Sequence, residues 1–185
     1  MIRSVLHDAK YRLIDCGIEN LVREVTCLDV FEYKGLDFPT AMKSLPDFIV
    51  MDRDQEQKSL VEVKYRAEWS NTIFDEIEDQ VRLFNEIVLI FFKGAPEKAK
   101  DISPTPAAYI RCCRVRFHDD EIQIYASKGK SSSQAWLPRS EFNGNSWEWW
   151  GMETLQSMFP LLKNSKDEGT LMTVIDSLQG ILNDE

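Results

Sequence analysis

Two apolar segments joined by a wholly polar one constrain the fold of this chain more than any other stretch of its sequence. Residues 47–51 and residues 60–65 are rich in β-branched and aromatic side chains, which favours strands. Residues 52–58, which connect them, are polar throughout and suit a turn. The sequence therefore predicts a β-hairpin, and its apolar flanks predict that the hairpin lies inside a larger sheet.

The register of this hairpin determines which side chains share a face. In an antiparallel pair, residues that oppose one another have a constant sum of residue numbers. If Asp52 opposes Gln57, then Asp47 opposes Glu62, and their Cβ atoms lie about 5 Å apart on one face. Lys64 follows Glu62 by two positions and shares that face. One register thus brings two acids and a lysine together.

The rest of the chain reads as an α/β fold with a mixed sheet flanked by helices. We expect a single domain over residues 1–185, with a core of about 1–126 and a β-rich and helical extension of about 127–185. The expected helices are 2–16 (ended by Gly17), 70 or 71 to 86, and 169–182. The other expected strands are 21–33, 87–93, 107–117 and 121–126. Residues 36–44 are expected to form a loop or short helix, 94–106 and 129–133 loops, and the tryptophan-rich 140–151 an irregular segment.

The composition favours a soluble intracellular protein. No run of about 18 apolar residues occurs, which predicts that no helix spans a membrane and that no membrane partner is needed. The first residues lack the apolar core of a signal peptide, so we expect a cytoplasmic location.

The cysteines and histidines argue against a thiolate or imidazole metal site. None of Cys16, Cys27, Cys112 and Cys113 forms a CxxC pair, so we interpret them as small core residues. The formal net charge of −9 weighs against general nucleic-acid binding, because phosphate contacts need lysine and arginine. A local basic groove on an acidic body remains compatible with it.

The paired acids and the lysine suit metal-dependent phosphate chemistry. Carboxylates are hard oxygen ligands for Mg²⁺ or Mn²⁺, and one or two of them suffice when water and substrate phosphate complete the shell. A nearby ammonium stabilises negative charge in the transition state. The alternative is an ordinary solvated sheet face. The apolar neighbours of Glu62 and Lys64 count against it, because charges placed inside a sheet need a compensating role.

The pair Pro46-Asp47, followed after the hairpin by Glu62-Val63-Lys64, resembles the signature of the PD-(D/E)XK nuclease superfamily. The resemblance implies a restriction-endonuclease-like αβββαβ core over about residues 2–93. It also implies a Mg²⁺- or Mn²⁺-dependent deoxyribonuclease. In that case Asp47 and Glu62 bind the metal, the Val63 carbonyl assists, and Lys64 is catalytic.

The resemblance suggests two further positions. Many family members carry a metal-facing acid on the first helix, for which Asp8 is preferred here while Asp15 and Glu24 stay open. Gln80 resembles the glutamine of a Gln-x-x-x-Tyr element in exonuclease-like members, although Phe84 replaces the tyrosine. A solvated helix residue is the alternative for each.

Other basic and aromatic residues are candidates for nucleic-acid contacts. Arg66 extends the motif strand, and Arg114 and Arg116 share a face of a predicted strand, where a solvated edge strand would explain them equally well. Four tryptophans could stack on bases, or instead cover a core: Trp136, Trp147, Trp149 and Trp150.

Two rival functions remain open at this stage. One is a catalytically inactive binding module with the nuclease fold. The other is a subunit whose DNA contacts come from a second copy or another protein. The choice between DNA and RNA, and between endo- and exonuclease action, is also open.

Overall fold

The computed structural model describes residues 2–17, 27–28, 39–94, 105–129 and 133–162, together with 171, 173 and 175. It has an α/β fold built on a seven-stranded mixed sheet, in which the strands follow one another across the sheet in chain order. Among the strands that the structure describes, only the central pair, formed by the third and fourth strands, is parallel, and the other neighbours are antiparallel.

The bounds of the strands are as follows: β1 Arg12–Asp15, β2 Phe48–Met51, β3 Lys58–Arg66, β4 Glu86–Lys93, β5 Ile110–His118, β6 Glu121–Ala126 and β7 Ala135–Pro138. The helices are short: α1 Ile2–Asp8, α2 Thr40–Lys43, α3 Ile73–Glu76, α4 Glu78–Phe84, α5 Pro106–Tyr109, α6 Ser146–Gly151 and α7 Leu155–Met158. Further 3₁₀ turns cover Arg139–Glu141 and Pro160–Leu162. None of the helices that the structure describes is long and apolar enough to cross a membrane.

Each face of the sheet carries its own hydrophobic core. We call the face that contains Glu62, Lys64, Leu89 and Cys113 the motif face, because the registers of β3, β4 and β5 place these residues together. Helices α3 and α4 pack on the motif face. On the opposite face, which contains Val63 and Cys112, α1 packs together with the segment that follows α7. Cys112 and Cys113 are buried thiols, which confirms the interpretation of these two as core residues.

The predicted first helix over residues 2–16 is wrong beyond Asp8. Lys10 adopts a positive φ of 72°, and the chain then turns into β1, which pairs with β2. The apolar residues Leu13 and Ile14 fitted a helical pattern. In the strand they alternate instead: Leu13 packs on the core and Ile14 is 49% exposed.

Three other expectations need correction. The helix of residues 70–86 is interrupted at Ile77, whose φ of −102° and ψ of 6° end α3 and begin α4. The strand of residues 107–117 starts only at Ile110, because Pro106 begins the helical turn α5. The segment of residues 140–151 is not irregular throughout, because Ser146–Gly151 forms the helix α6.

Several predicted segments lie wholly or largely outside the described residues. The strand of 21–33 is described only at Cys27 and Leu28, and the helix of 169–182 only at Leu171, Thr173 and Ile175. Most of the loops at 94–106 and 129–133 are also outside. Residues 36–44 do contain a short helix, α2.

Candidate functional site

The hairpin has the register that the sequence predicts. Phe48 pairs with Val61 and Met51 with Lys58, which is the register that sets Asp47 opposite Glu62. Asp52 and Gln57 close the turn: the Asp52 N–H donates to the Gln57 carbonyl, and the Gln57 N–H donates to Asp52 Oδ1, both at 3.2 Å.

Asp47 lies immediately before β2 and is held from both sides. Its carboxylate Oδ2 accepts the backbone N–H of Val63 at 2.8 Å, and its carbonyl accepts the N–H of Cys16 at 3.0 Å. The side chain therefore accepts a backbone N–H of β3 just before β2 begins, next to the strand that carries Glu62. Pro46, which has no N–H to donate, precedes it.

Glu62 is a buried carboxylate with two different partners. Its residue is 8% exposed. The Lys64 ammonium lies 2.8 Å from Oε1, and Gln80 Nε2 donates to Oε2 at 2.9 Å. Each carboxylate oxygen has two lone pairs, so these contacts leave acceptor capacity on both. The Lys64 side chain is 23% exposed, against 10% for that of Glu62, so the lysine is the more accessible member of the pair.

Helix α4 brings Gln80 to this site. The residue is 6% exposed, and its Oε1 has no hydrogen-bond partner among the described residues. A buried amide oxygen without a partner is costly, by roughly 1–3 kcal/mol. Gln80 is therefore neither the exposed glutamine of the alternative interpretation nor a fully satisfied core residue.

The chain matches no protein-family model, no curated protein and no solved structure. Its chemistry is therefore inferred from geometry.

Tyr65 is a neighbour of the site that the sequence did not single out. Its ring stacks on Phe92 with centroids 4.9 Å apart. Burial and the Asp47 carboxylate raise the pKa of the Tyr65 hydroxyl to about 12, against the opposing effect of a hydrogen bond to the backbone of Ile2. The hydroxyl therefore keeps its proton at neutral pH and cannot serve as a base.

The structure does not bring Asp8 to the pair. Arg3, near the start of α1, bonds Asp15 at 3.0 Å, and Asp15 pairs with Phe48 at the Asp47 end of the hairpin. Asp8 lies at the other end of α1, 72% exposed at its side chain, with His7 as its partner. Asp15 belongs to β1 rather than to the helix, and Glu24 lies outside the described residues.

The predicted nucleic-acid contacts separate into two groups. Arg66 continues the motif strand and pairs with Glu76 at 2.7 Å, half exposed at the surface. Arg114 and Arg116 alternate with Cys113 and therefore lie on the opposite face of the sheet from Lys64. They cannot line one groove with Glu62 on the motif face.

The tryptophans also differ in their surroundings. Trp149 is buried in the motif-face core, and Trp147 packs against it. Trp150 is 38% exposed, with the Arg111 guanidinium 4.8 Å from its ring. Trp136 lies beneath Arg114 and Arg116. Only Trp136 combines partial exposure with the arginines that the sequence singled out.

The oxygen donors at the site are the smallest set that suits Mg²⁺ or Mn²⁺. Within the described ranges, no group of three or more His, Cys, Asp or Glu side chains is placed to hold a metal ion. Asp47 and Glu62 are two hard oxygen donors on adjacent strands, and Mg²⁺ commonly uses one or two carboxylates. The unpartnered Oε1 of Gln80 belongs to the amide that donates to Glu62, and is a further oxygen atom next to this carboxylate.

Proposed function

We propose that this chain is a metal-dependent nuclease that hydrolyses DNA phosphodiester bonds, on a restriction-endonuclease-like core. The observation that carries the proposal is the hydrogen-bonded set Lys64–Glu62–Gln80, positioned opposite Asp47 at the end of a buried hairpin. Packing alone does not require a carboxylate, an ammonium and an amide at these positions, because desolvating charged groups costs free energy that apolar side chains would avoid.

Each residue has a distinct role in this proposal. Asp47 and Glu62 would hold Mg²⁺ or Mn²⁺, with the Val63 carbonyl as a further oxygen donor. When bound, the metal supplies Lewis-acid stabilisation of the charge on the phosphoryl oxygens. Gln80 orients the Glu62 carboxylate through its Nε2 donor. Lys64 places its ammonium where negative charge develops on the phosphate and where the attacking water must be oriented.

The second candidate is a nuclease-fold binding module without activity. One observation favours it: Asp47 Oδ2 and both Glu62 oxygens already have protein partners, as in a structural polar network. A subunit that acts with a second copy or another protein is compatible with either candidate.

The deciding experiment is cleavage of labelled single-stranded, duplex and branched DNA, and of RNA, with Mg²⁺ or Mn²⁺. We expect Lys64→Ala to lower turnover by about 100-fold or more, because one preorganised donor contributes roughly 3 kcal/mol to the transition state. Its affinity for DNA should change less than about threefold, since one cation among many phosphate contacts adds little to ground-state binding. The matched control is Lys58→Ala, an exposed lysine at the start of the same strand, which should retain full activity.

Equal losses of affinity and turnover in Lys64→Ala would make this lysine a phosphate anchor rather than a catalytic group. If the wild-type protein cleaves neither DNA nor RNA with either metal, the binding-module candidate replaces the nuclease.

A further inference from the structure

The face of the sheet opposite Glu62 and Lys64 carries a stacked array of arginine and aromatic side chains. The Arg114 guanidinium lies 4.1 Å from the Tyr125 ring centroid and 5.4 Å from that of Trp136. The Arg116 guanidinium lies 4.1 Å from the Trp136 centroid. The two rings are themselves 5.2 Å apart. We call Arg114, Arg116, Gln123, Tyr125 and Trp136 the stacked surface.

The strand registers explain why these side chains meet. Tyr125 pairs with Trp136 across β6 and β7, and Arg116 pairs with Gln123 across β5 and β6. The alternate residues of β6 and β7, such as Ile124 and Leu137, are buried in the motif-face core. All five members of the stacked surface are half-buried, so each keeps part of its surface in contact with solvent.

The guanidinium groups contact rings and an amide, and acids lie near them. Glu86 is opposite Arg116 across β4 and β5, and the Arg114 charge lowers the pKa of Glu153, against the raising effect of its burial. Nε and Nη2 of Arg116 both donate to Gln123 Oε1, at 2.9 and 2.7 Å. Among the described residues, neither Arg114 nor Arg116 forms an ion pair with a carboxylate, although the chain has 31 acidic against 22 basic residues. A planar guanidinium stacked on a ring leaves its N–H edge directed away from the ring, towards an incoming anion.

We infer that the stacked surface is a second ligand site, which binds single-stranded nucleic acid on the face opposite the proposed cleavage site. Bases stack on the parts of Trp136 and Tyr125 that the guanidinium groups leave exposed. Phosphates contact Arg114 and Nη1 of Arg116, because Nε and Nη2 of Arg116 already donate to Gln123. The five residues of the stacked surface carry two positive charges and no negative one, which complements a phosphate backbone. The inference rests on the proposed function only for the class of ligand, because binding here requires neither metal nor Lys64.

A groove adjoins the stacked surface at Arg114. It has a volume of about 720 Å³, and its charged lining residues are Arg114, Lys58, Glu56, Glu86 and Glu153. Three carboxylates against two cations make the groove itself unfavourable for phosphate. We therefore expect the nucleic acid on Trp136 and Tyr125 rather than in the groove.

The test is fluorescence anisotropy with a labelled oligo(dT) in EDTA, where metal-dependent cleavage cannot occur. Arg114→Ala/Arg116→Ala should weaken binding about tenfold or more and reduce the slope of log K against log salt by about 1.4, the value for two phosphate contacts on a single strand. Trp136→Leu should weaken binding by about tenfold without changing that slope, because stacking releases no counterions. Arg114→Lys/Arg116→Lys should keep the slope and lose affinity.

Two controls separate this inference from the proposed nuclease. Arg82 also lies over a ring, 4.1 Å from the Phe117 centroid, but it forms an ion pair with Glu78. Arg82→Ala should therefore leave binding unchanged. Lys64→Ala should bind oligo(dT) as the wild type does, even if it never cleaves. Unchanged binding in the Arg114/Arg116 variant with intact near-ultraviolet circular dichroism would overturn the inference. So would binding of a poly-glutamate peptide but not of oligo(dT).

Discussion

At the scale of single residues, Glu62 is the most constrained side chain of the candidate site. Its carboxylate lies inside the molecule with Lys64 on one oxygen and Gln80 on the other. A buried carboxylate that loses a hydrogen-bonding cation keeps its desolvation cost, whereas a neutral amide of the same shape does not. The free energy of unfolding should therefore report on this pair separately from any activity.

We expect Lys64→Ala to lower the free energy of unfolding by roughly 2 kcal/mol in EDTA at neutral pH, because Glu62 is left without its cation. Adding Glu62→Gln to that variant should recover about half of the loss, since no buried charge remains. Urea denaturation of the wild type, both single variants and the double variant measures the coupling. Equal stability of Lys64→Ala and the double variant would show that the unpaired Glu62 charge costs no free energy in the folded protein.

The site residues whose positions depend only on neighbouring sequence could be predicted, and those whose positions depend on tertiary packing could not. Asp47, Glu62 and Lys64 follow from one hairpin register, because side chains in a strand alternate with a period of two. Gln80 was suggested only by resemblance, since its position depends on how α4 packs against β3. Asp8 was placed by analogy on a helix that was taken to be longer than it is. The actual end of α1 lies at the hairpin turn.

At the scale of secondary-structure elements, local turns account for most of the differences between the predicted and the observed helices. The first helix ends where Lys10 turns the chain, and no glycine or proline marks that position in the sequence. In contrast, α6 carries a recognisable signal: Asn145 caps the helix and Glu148, three residues on, completes a capping box. Glu148 Oε1 accepts the backbone N–H groups of Asn143, Gly144 and Asn145. This helix could have been predicted from the sequence.

Gly151, the last residue of α6, offers a test of how closely this element approaches the sheet. A Cβ atom at this position would overlap the backbone carbonyl of Ser127, whose N–H donates to the Gly151 carbonyl at 2.9 Å. Gly151→Ala should therefore destabilise the protein by about 1–3 kcal/mol, the usual cost of overpacking. Gly129→Ala is the control, because nothing lies within 4 Å of its Cβ position. Thermal melting that places both variants at the same midpoint would refute the close approach.

At the scale of the whole molecule, the sheet was predictable in its centre and not at its margins. The long strands β3 and β4 were identified from their own apolar runs, and the short β2 was identified because a polar turn joins it directly to β3. The short edge strands β1 and β7 have only four residues each, and their pairing depends on partners distant in sequence. The net charge of −9 describes the chain as acidic but says nothing about where its arginines lie. That Arg114 and Arg116 share a face followed from the alternation of side chains along a strand, whereas their contacts with Tyr125 and Trp136 depend on the pairing of β5, β6 and β7.

The stability of the whole molecule should fall in alkaline solution, because several buried acidic groups are held in their neutral form. Burial raises the pKa of the Tyr65 hydroxyl to about 12, and it also raises the pKa values of the Cys112 and Cys113 thiols. Between the ordinary pKa and the raised one, the folded state keeps a proton that the unfolded chain releases. The free energy of unfolding therefore decreases as pH rises, by up to about 1.4 kcal/mol per pH unit for each such group.

Tyr65→Phe isolates one of these contributions. Below about pH 9 the variant should differ from the wild type only by a constant amount, which reflects the lost hydroxyl contacts, because tyrosine is neutral in both states. Above about pH 10 the wild type should lose stability more steeply than the variant, since unfolding then exposes a hydroxyl that ionises. Urea denaturation at intervals from about pH 8 to 11 measures both slopes. Parallel curves across this range would mean that Tyr65 ionises as easily in the folded protein as in the unfolded chain.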